Sequence, residues 1–195
     1  MLIHISGLRS ESIAPGSIPV SITLQQVPTD TYTVDPVHSS FGFGVKYNGL
    51  ATFRSSFDKV DAQLADGVLT GSADVRSIVI DEPRFKDHLL AVDFFDVEST
   101  PTITFRSTDI RLAEDGAAEL DGELTIRGVT KPVTATGSFA AGNDAFGNDR
   151  IAFEVQTTVD RREFGLNWQM VKPDGSEALA YDVTISAELQ LVKQA

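Results

Sequence analysis

The sequence predicts an all-β fold, an antiparallel barrel or sandwich of about eight strands. Three observations carry this reading. Apolar residues recur with period two along most of the 195 residues, the spacing that sends alternate side chains to opposite faces of a strand. The alternating runs are separated by turn signals such as Asp66-Gly67, Glu114-Asp115-Gly116, Arg127-Gly128, Gly142-Asn143, Gly147-Asn148 and Asp174-Gly175. One segment only, residues 82–91, carries helical spacing.

In chain order, residues 40–47 place Phe41, Phe43, Val45 and Tyr47 on one face and Ser40, Gly42, Gly44 and Lys46 on the other. Residues 58–64 offer Val60, Ala62 and Leu64, and residues 69–75 offer Leu69, Gly71, Ala73 and Val75. Residues 82–91 are predicted helical, with Pro83 suited to a first turn and Phe85, Leu89 and Leu90 sharing a face. Ile103 and Phe105 alternate, and Ile110 and Leu112 resume after a bulge. The remaining strands are read from Leu120, Leu124 and Ile126, from Val133, Ala135 and Phe139, from Ile151, Phe153 and Val155, and from Tyr181 through Leu191. The candidate inward faces mix Phe with Gly71, Gly122, Gly137, Ala62, Ala73 and Ala135. Small residues opposite large ones either interdigitate tightly or leave an apolar lumen, and the pattern alone leaves both open.

Residues 1–30 read as an extension to a barrel domain at 31–195. Within it Ile18, Val20, Ile22 and Leu24 alternate around Pro19, which suits an extra edge strand. That stripe is expected to bury against the barrel or against a second copy in a homodimer.

Composition excludes several classes. The chain has no cysteine, so disulfide scaffolds, thiolate metal sites and cysteine nucleophiles drop out. Its net charge of -12 repels phosphate backbones and argues against a nucleic-acid partner. No apolar run reaches the roughly 18 residues of a membrane-spanning helix. The first twenty residues lack the basic start and apolar core of an export signal, so a cytoplasmic location is expected.

The densest polar run is 84–96, where Arg84, Asp87 and His88 fall within about one helical turn. An Asp87–His88 dyad doing general-base work is one reading, but the sequence identifies no nucleophile. The other, which the sequence favours, is a helix-to-loop junction pinned by ion pairs. His4, His38 and His88 lack metal-ligand spacing, so no metal is expected and His38 reads as a turn residue. No nucleophile elbow, phosphate loop or dinucleotide fingerprint occurs. Arg127, Arg161 and Arg162 concentrate positive charge at two turns; one reading is an anionic head-group site at the barrel mouth, and the favoured one is that they pair with the carboxylates of the Asp35 and Asp87 segments and close one barrel end.

Five segments, in order, resemble the YceI-like family of polyisoprenoid-binding, lipocalin-like proteins. They are Tyr32 to Ser39 with its Asp35-Pro36-Val37-His38 core, Ser77 to Asp96 with Asp87-His88-Leu89, Pro101 to Thr108, Gly122 to Val133, and Asp160 to Leu166. The resemblance implies an extended eight-stranded antiparallel lipocalin-like β-barrel with one short helix between strands, holding an isoprenoid lipid or quinone as its ligand. Two positions depart from the pattern: Tyr47 stands where the family usually has His, and Ser55 where it usually has Gly.

The expected function is thus a non-catalytic carrier for a polyprenyl or quinone-like tail. The expected lining is Phe41, Phe43, Val45, Phe105, Leu124, Ile126, Phe139, Phe153, Val155 and Val183, with Tyr47 and Trp168 at the polar head. No cofactor beyond the ligand is expected. A hydrolase or isoprenoid-modifying enzyme using Asp87 and His88, and a structural protein with a filled barrel, are the competing classes. Tyr47 stays neutral where a histidine would titrate, which points to a neutral head rather than a diphosphate.

Overall fold

The computed structural model describes residues 24–195. Eight antiparallel strands close a ring. They are β2 (Tyr32–Val34), β5 (Val60–Ala65), β6 (Val68–Asp74), β7 (Thr102–Ala113), β8 (Ala117–Ile126), β9 (Val129–Asn143), β10 (Asp149–Asp160) and β11 (Leu179–Lys193). Neighbours in that order pair, and β11 closes the ring by pairing with β10 and with β2. The fold class is the one expected, and period two explains why: each strand needs only one apolar parity to face a common axis.

Two ring members are bent strands in two pieces. β3 (Ser40–Tyr47) continues β2 along the same edge of β11, and β4 (Ala51–Phe57) precedes β5. The break between β2 and β3 is a turn at Asp35. Its carboxylate accepts from Val37 N (3.0 Å), from the His38 ring (2.9 Å) and from Arg150 (2.6 Å). His38 is therefore a turn residue, as expected. The two-residue turns at Asp66-Gly67 and Arg127-Gly128 have positive φ at both positions, the twist that matches a tight hairpin. β7 is irregular against β8 between Ser107 and Asp109, where the sequence placed a bulge.

Beyond the closed ring, the β3–β4 hairpin has an outer edge without a strand. The segment after the short helical turn Val75–Ser77 seals it. Val79 N bonds Ser56 O at 2.9 Å, Ser55 Oγ donates to Val79 O at 2.8 Å, and Phe57 bridges to Ile78. The helix α1 (Pro83–Leu90), the one α-helix among the described residues, follows, capped by the Glu82 carboxylate on Phe85 N. The loop after it folds Phe94, Phe95 and Val97 into the barrel end. Two phenylalanines between Asp93 and Asp96 cannot stay in water cheaply, since burying each is worth about 1.5–3 kcal/mol. They form the plug.

The core therefore has two layers. One end is solid: Leu64, Leu112, Leu120, Phe153 and Leu191 are fully buried and pack with Phe139 and Ile151. The other is built around the plug, with Ile78, Phe95, Ile126, Phe164 and Leu166. A short strand β1 (Leu24–Gln25) pairs with Ala113 and Leu112 of β7 at the solid end. The expected positions Ile18, Val20 and Ile22 lie outside the described residues. No helix among the described residues is long and apolar enough to cross a membrane.

Candidate functional site

Between the two core layers lies an apolar cavity of about 160 Å³. Every ring strand from β6 to β11 contributes, together with β3, Phe57 and the plug. On β11 the wall runs from Leu179 to Leu189. At about 3.3 Å per residue and a usual barrel tilt of 35–45°, that is roughly 25 Å along the axis. A volume close to that of a cavity that admits benzene, drawn out over such a length, is a narrow slot rather than a bowl.

Of the residues expected to line a lumen, Phe41, Phe43, Val45, Phe105, Leu124, Ile126, Val155 and Val183 are on the wall. Several of them, including Phe41, Phe43, Phe105 and Val183, are only partly buried. They face the axis, so their exposed surface is cavity surface. The question of filling left open by the small inward residues has a mixed answer. A Cβ on Gly122 would lie 2.5 Å from the Phe105 ring, and one on Gly71 would lie 3.1 Å from the tip of Phe41. These glycine hollows hold aromatic rings, and the slot is what the rings leave over.

Four expected lining residues are elsewhere. Phe139 and Phe153 stack on each other, ring centroids 5.1 Å apart, inside the solid end. Their parity is right, but they lie too far along their strands to reach the slot. Tyr47 is exposed at the hairpin tip, just past the wall residue Val45. Trp168 packs on His88 (4.9 Å) and Phe94 (6.2 Å), behind the plug. The sequence reading missed Phe57, Phe94, Phe95, Phe164 and Leu166 on the wall. The signal available for the plug was Phe94-Phe95 set between two aspartates.

The arginines also differ from expectation. Arg162 pairs with its near neighbour Asp160 (3.0 Å), not with a carboxylate of the Asp35 or Asp87 segment, and stacks over Tyr181. Arg161 pairs with no carboxylate. It is 3% exposed, forms part of the slot wall, and donates only to backbone carbonyls: Ala180 (2.9 Å), Leu179 (3.4 Å) and Leu166. Burial lowers its pKa from the ordinary guanidinium range, against the pull of Tyr181 and nearby carboxylates. Arg127, which sits at positive φ, bonds Gly165 O (2.7 Å) and Val92 O (3.1 Å). Both arginines tie together backbone carbonyls of separate segments, and a five-donor fork suits that task.

The Asp87–His88 dyad does not form. The carboxylate nearest His88 is Asp93, 3.9 Å from Nδ1, while Nε2 is buried without a hydrogen-bond partner. The ring is held by Trp168 and Phe94. Neither Asp87 nor His88 is on the slot wall. No group of three or more metal-ligating side chains occurs among the described residues.

Comparison with known proteins places this architecture. Residues 32–191 match the YceI-like domain. The chain belongs to that family. A UPF0312 protein of Vibrio cholerae is 30% identical over 145 residues, 69% of this chain and 77% of the relative. A UPF0312 protein of Pseudomonas putida is 29% identical over 156 residues, 80% of this chain and 79% of the relative. Among solved structures, Burkholderia cenocepacia BcnA superposes with a TM-score of 0.66 at 21% identity, covering 80% of this chain and 98% of that one. A polyisoprenoid-binding domain from Saccharophagus degradans superposes with a TM-score of 0.64 at 11% identity, covering 84% and 98%. In this YceI-like chain the serine at position 55 has a physical reason: its hydroxyl ties the open edge of β4 to the segment leading into α1.

Proposed function

We propose that the protein is a non-catalytic carrier that holds one long apolar chain, an isoprenoid or quinone-like tail, in the slot. The observation that supports this most is the shape and chemistry of the wall, some 25 Å of nearly unbroken hydrocarbon along the axis. A thin apolar slot suits a single extended chain. Each methylene taken out of water contributes about 0.8 kcal/mol. The similar fold of the polyisoprenoid-binding domain from Saccharophagus degradans supports the same reading. No cofactor takes part, and His88 and Asp87 serve the barrel end rather than a reaction. The slot in its present form suits a thin chain of a few units. A longer tail is accommodated by rotation of the half-buried rings of Phe41, Phe43 and Phe105.

The polar end of the ligand lies at the Arg161 end of the slot. A lone guanidinium already bound to three carbonyls favours a neutral acceptor, such as a quinone carbonyl, over a diphosphate that would need several cations. Native mass spectrometry of the purified protein, with extraction of co-purified lipid, tests the carrier reading. Competition among a prenylated quinone, a prenyl alcohol and a prenyl diphosphate tests the head. An empty protein that takes up none of the three refutes the carrier. Preference for the diphosphate, weakened by salt, refutes the head-group assignment.

A further inference from the structure

We propose that the rim at the plugged end, built from the β3–β4 turn and the loop at 165–178, docks on a lipid bilayer. The inference rests on the carrier reading. The two loops are neighbours: Asn48 N bonds Ala178 O at 2.6 Å, Ala178 N bonds Met170 O at 2.8 Å, and Tyr47 pairs with Leu179. Together they present large apolar side chains to solvent, Leu50 at 81% exposure and Val171 at 65%, with Met170 and Tyr47 beside them. Scattered single apolar residues need no explanation, but four on two touching loops form a patch.

The charge pattern selects the occupant. The chain carries 28 Asp and Glu, yet none occurs in residues 36–57 or 164–173. The cations of those stretches beside the patch are Lys46, Arg54 and Lys172. The second loop also carries Asp174, which accepts from Ser176, and Glu177, which accepts from the Tyr181 hydroxyl, so two carboxylates stand against the three cations of the rim. Apolar tips flanked by long cationic side chains, with Tyr and Trp close by, match the boundary between headgroups and acyl chains. The acid excess elsewhere repels an anionic surface, and among the described residues this rim is a face suited to one. The patch is also continuous with the slot, because the wall residues Val45 and Leu179 adjoin Tyr47. A bilayer is where a long-chain isoprenoid resides, and the rim places the slot against it.

The test is flotation of the full chain with vesicles of phosphatidylcholine, with and without phosphatidylglycerol. It is paired with transfer of a fluorescent prenyl probe out of those vesicles. The variant is the double change Leu50→Asp, Val171→Asp, at two positions exposed enough to leave the melting temperature unchanged. Wild type should float with vesicles, more so with phosphatidylglycerol. The variant should lose vesicle association and probe transfer by about tenfold or more, while binding the same probe dispersed in solution as before. Wild type that does not float with either vesicle, or a variant that transfers the probe as fast, overturns the proposal. So does a rim-dependent dimer in size-exclusion chromatography, which would make a second copy the occupant. Failure of wild type to bind the dispersed probe refutes the carrier reading instead, and flotation then still decides the surface.

Discussion

Replacing Gly122 by alanine couples stability to ligand capacity in one measurable step. The added Cβ would sit 2.5 Å from two carbons of the Phe105 ring and 2.6 Å from the backbone oxygen of Arg106. Carbon atoms in ordinary contact are about 3.5–4.0 Å apart, so the ring must retreat by about 1 Å and β7 must also give. The ring can only go into the slot it already lines. Overpacking of this kind costs about 1–3 kcal/mol. The lower entropy of the unfolded alanine chain returns about 0.4–1 kcal/mol. The net loss is about 1–2 kcal/mol, or roughly 2–8 °C in melting temperature for a domain of this size. Thermal and urea unfolding measure the first effect, and titration with a fluorescent prenyl probe measures the second, which should weaken several-fold. Gly71→Ala is the control, because its Cβ meets only the tip of Phe41 at 3.1 Å. Its cost should stay below about 1 kcal/mol. If Gly122→Ala melts no lower than Gly71→Ala and binds probe as wild type does, the ring-in-hollow account of the wall is wrong.

Three further outcomes are expected. Arg161→Met strands the Ala180 and Leu166 carbonyls beside the slot, Leu179 O keeping its bond from Gln169, and should lower stability by at least about 2 kcal/mol, whereas Arg162→Ala should leave the melting curve nearly unchanged; equal effects would refute the contrast. His88→Phe removes a ring nitrogen that has no partner and keeps the stacking on Trp168, so it should melt no lower than wild type and cost no ligand binding; a clear destabilisation would show that Nε2 has a partner. Hydrogen bonds from Arg150 and His38 hold the Asp35 carboxyl well below the usual carboxylate range, so its contribution is fully present above about pH 4 and fades as pH falls below that. Asp35→Asn should therefore be less stable than wild type at pH 7, with the gap narrowing in acid; a gap as wide at pH 2 as at pH 7 would contradict this.

How far the sequence reaches is visible in particular residues. Strand parity was legible, because Phe41, Phe43 and Val45 need water excluded on one side only, and all three are on the slot wall. The depth of each residue along the axis was not. Phe139 and Phe105 share an inward parity, yet one is in the solid end and the other on the slot, a difference set by strand stagger, which alternation does not encode. β4 was missed as a strand because Ser55 interrupts the apolar parity between Phe53 and Phe57, and its role emerges only with the segment sealing that edge. The partners of Arg161 were illegible for a different reason. An arginine that serves backbone carbonyls leaves no complementary residue type in the sequence. The helix was legible because Glu82 and Pro83 are local start signals that need no tertiary context.

The closure of the ring has a consequence for how the protein is made. Tyr32 pairs with Lys193 and Val34 with Leu191, so the first ring strand waits for the last. At a usual synthesis rate of 5–20 residues per second, roughly 8–30 s separate their emergence. During that interval β5 to β10 can add to one another hairpin by hairpin, but the sheet stays open with its apolar face turned to water or to a chaperone. A stall or truncation anywhere before β11 leaves the slot wall as a sticky surface rather than a site. Quality control of this chain therefore hinges on its final fifteen-residue strand, and mutations there should lower the yield of folded protein out of proportion to their effect on the finished barrel.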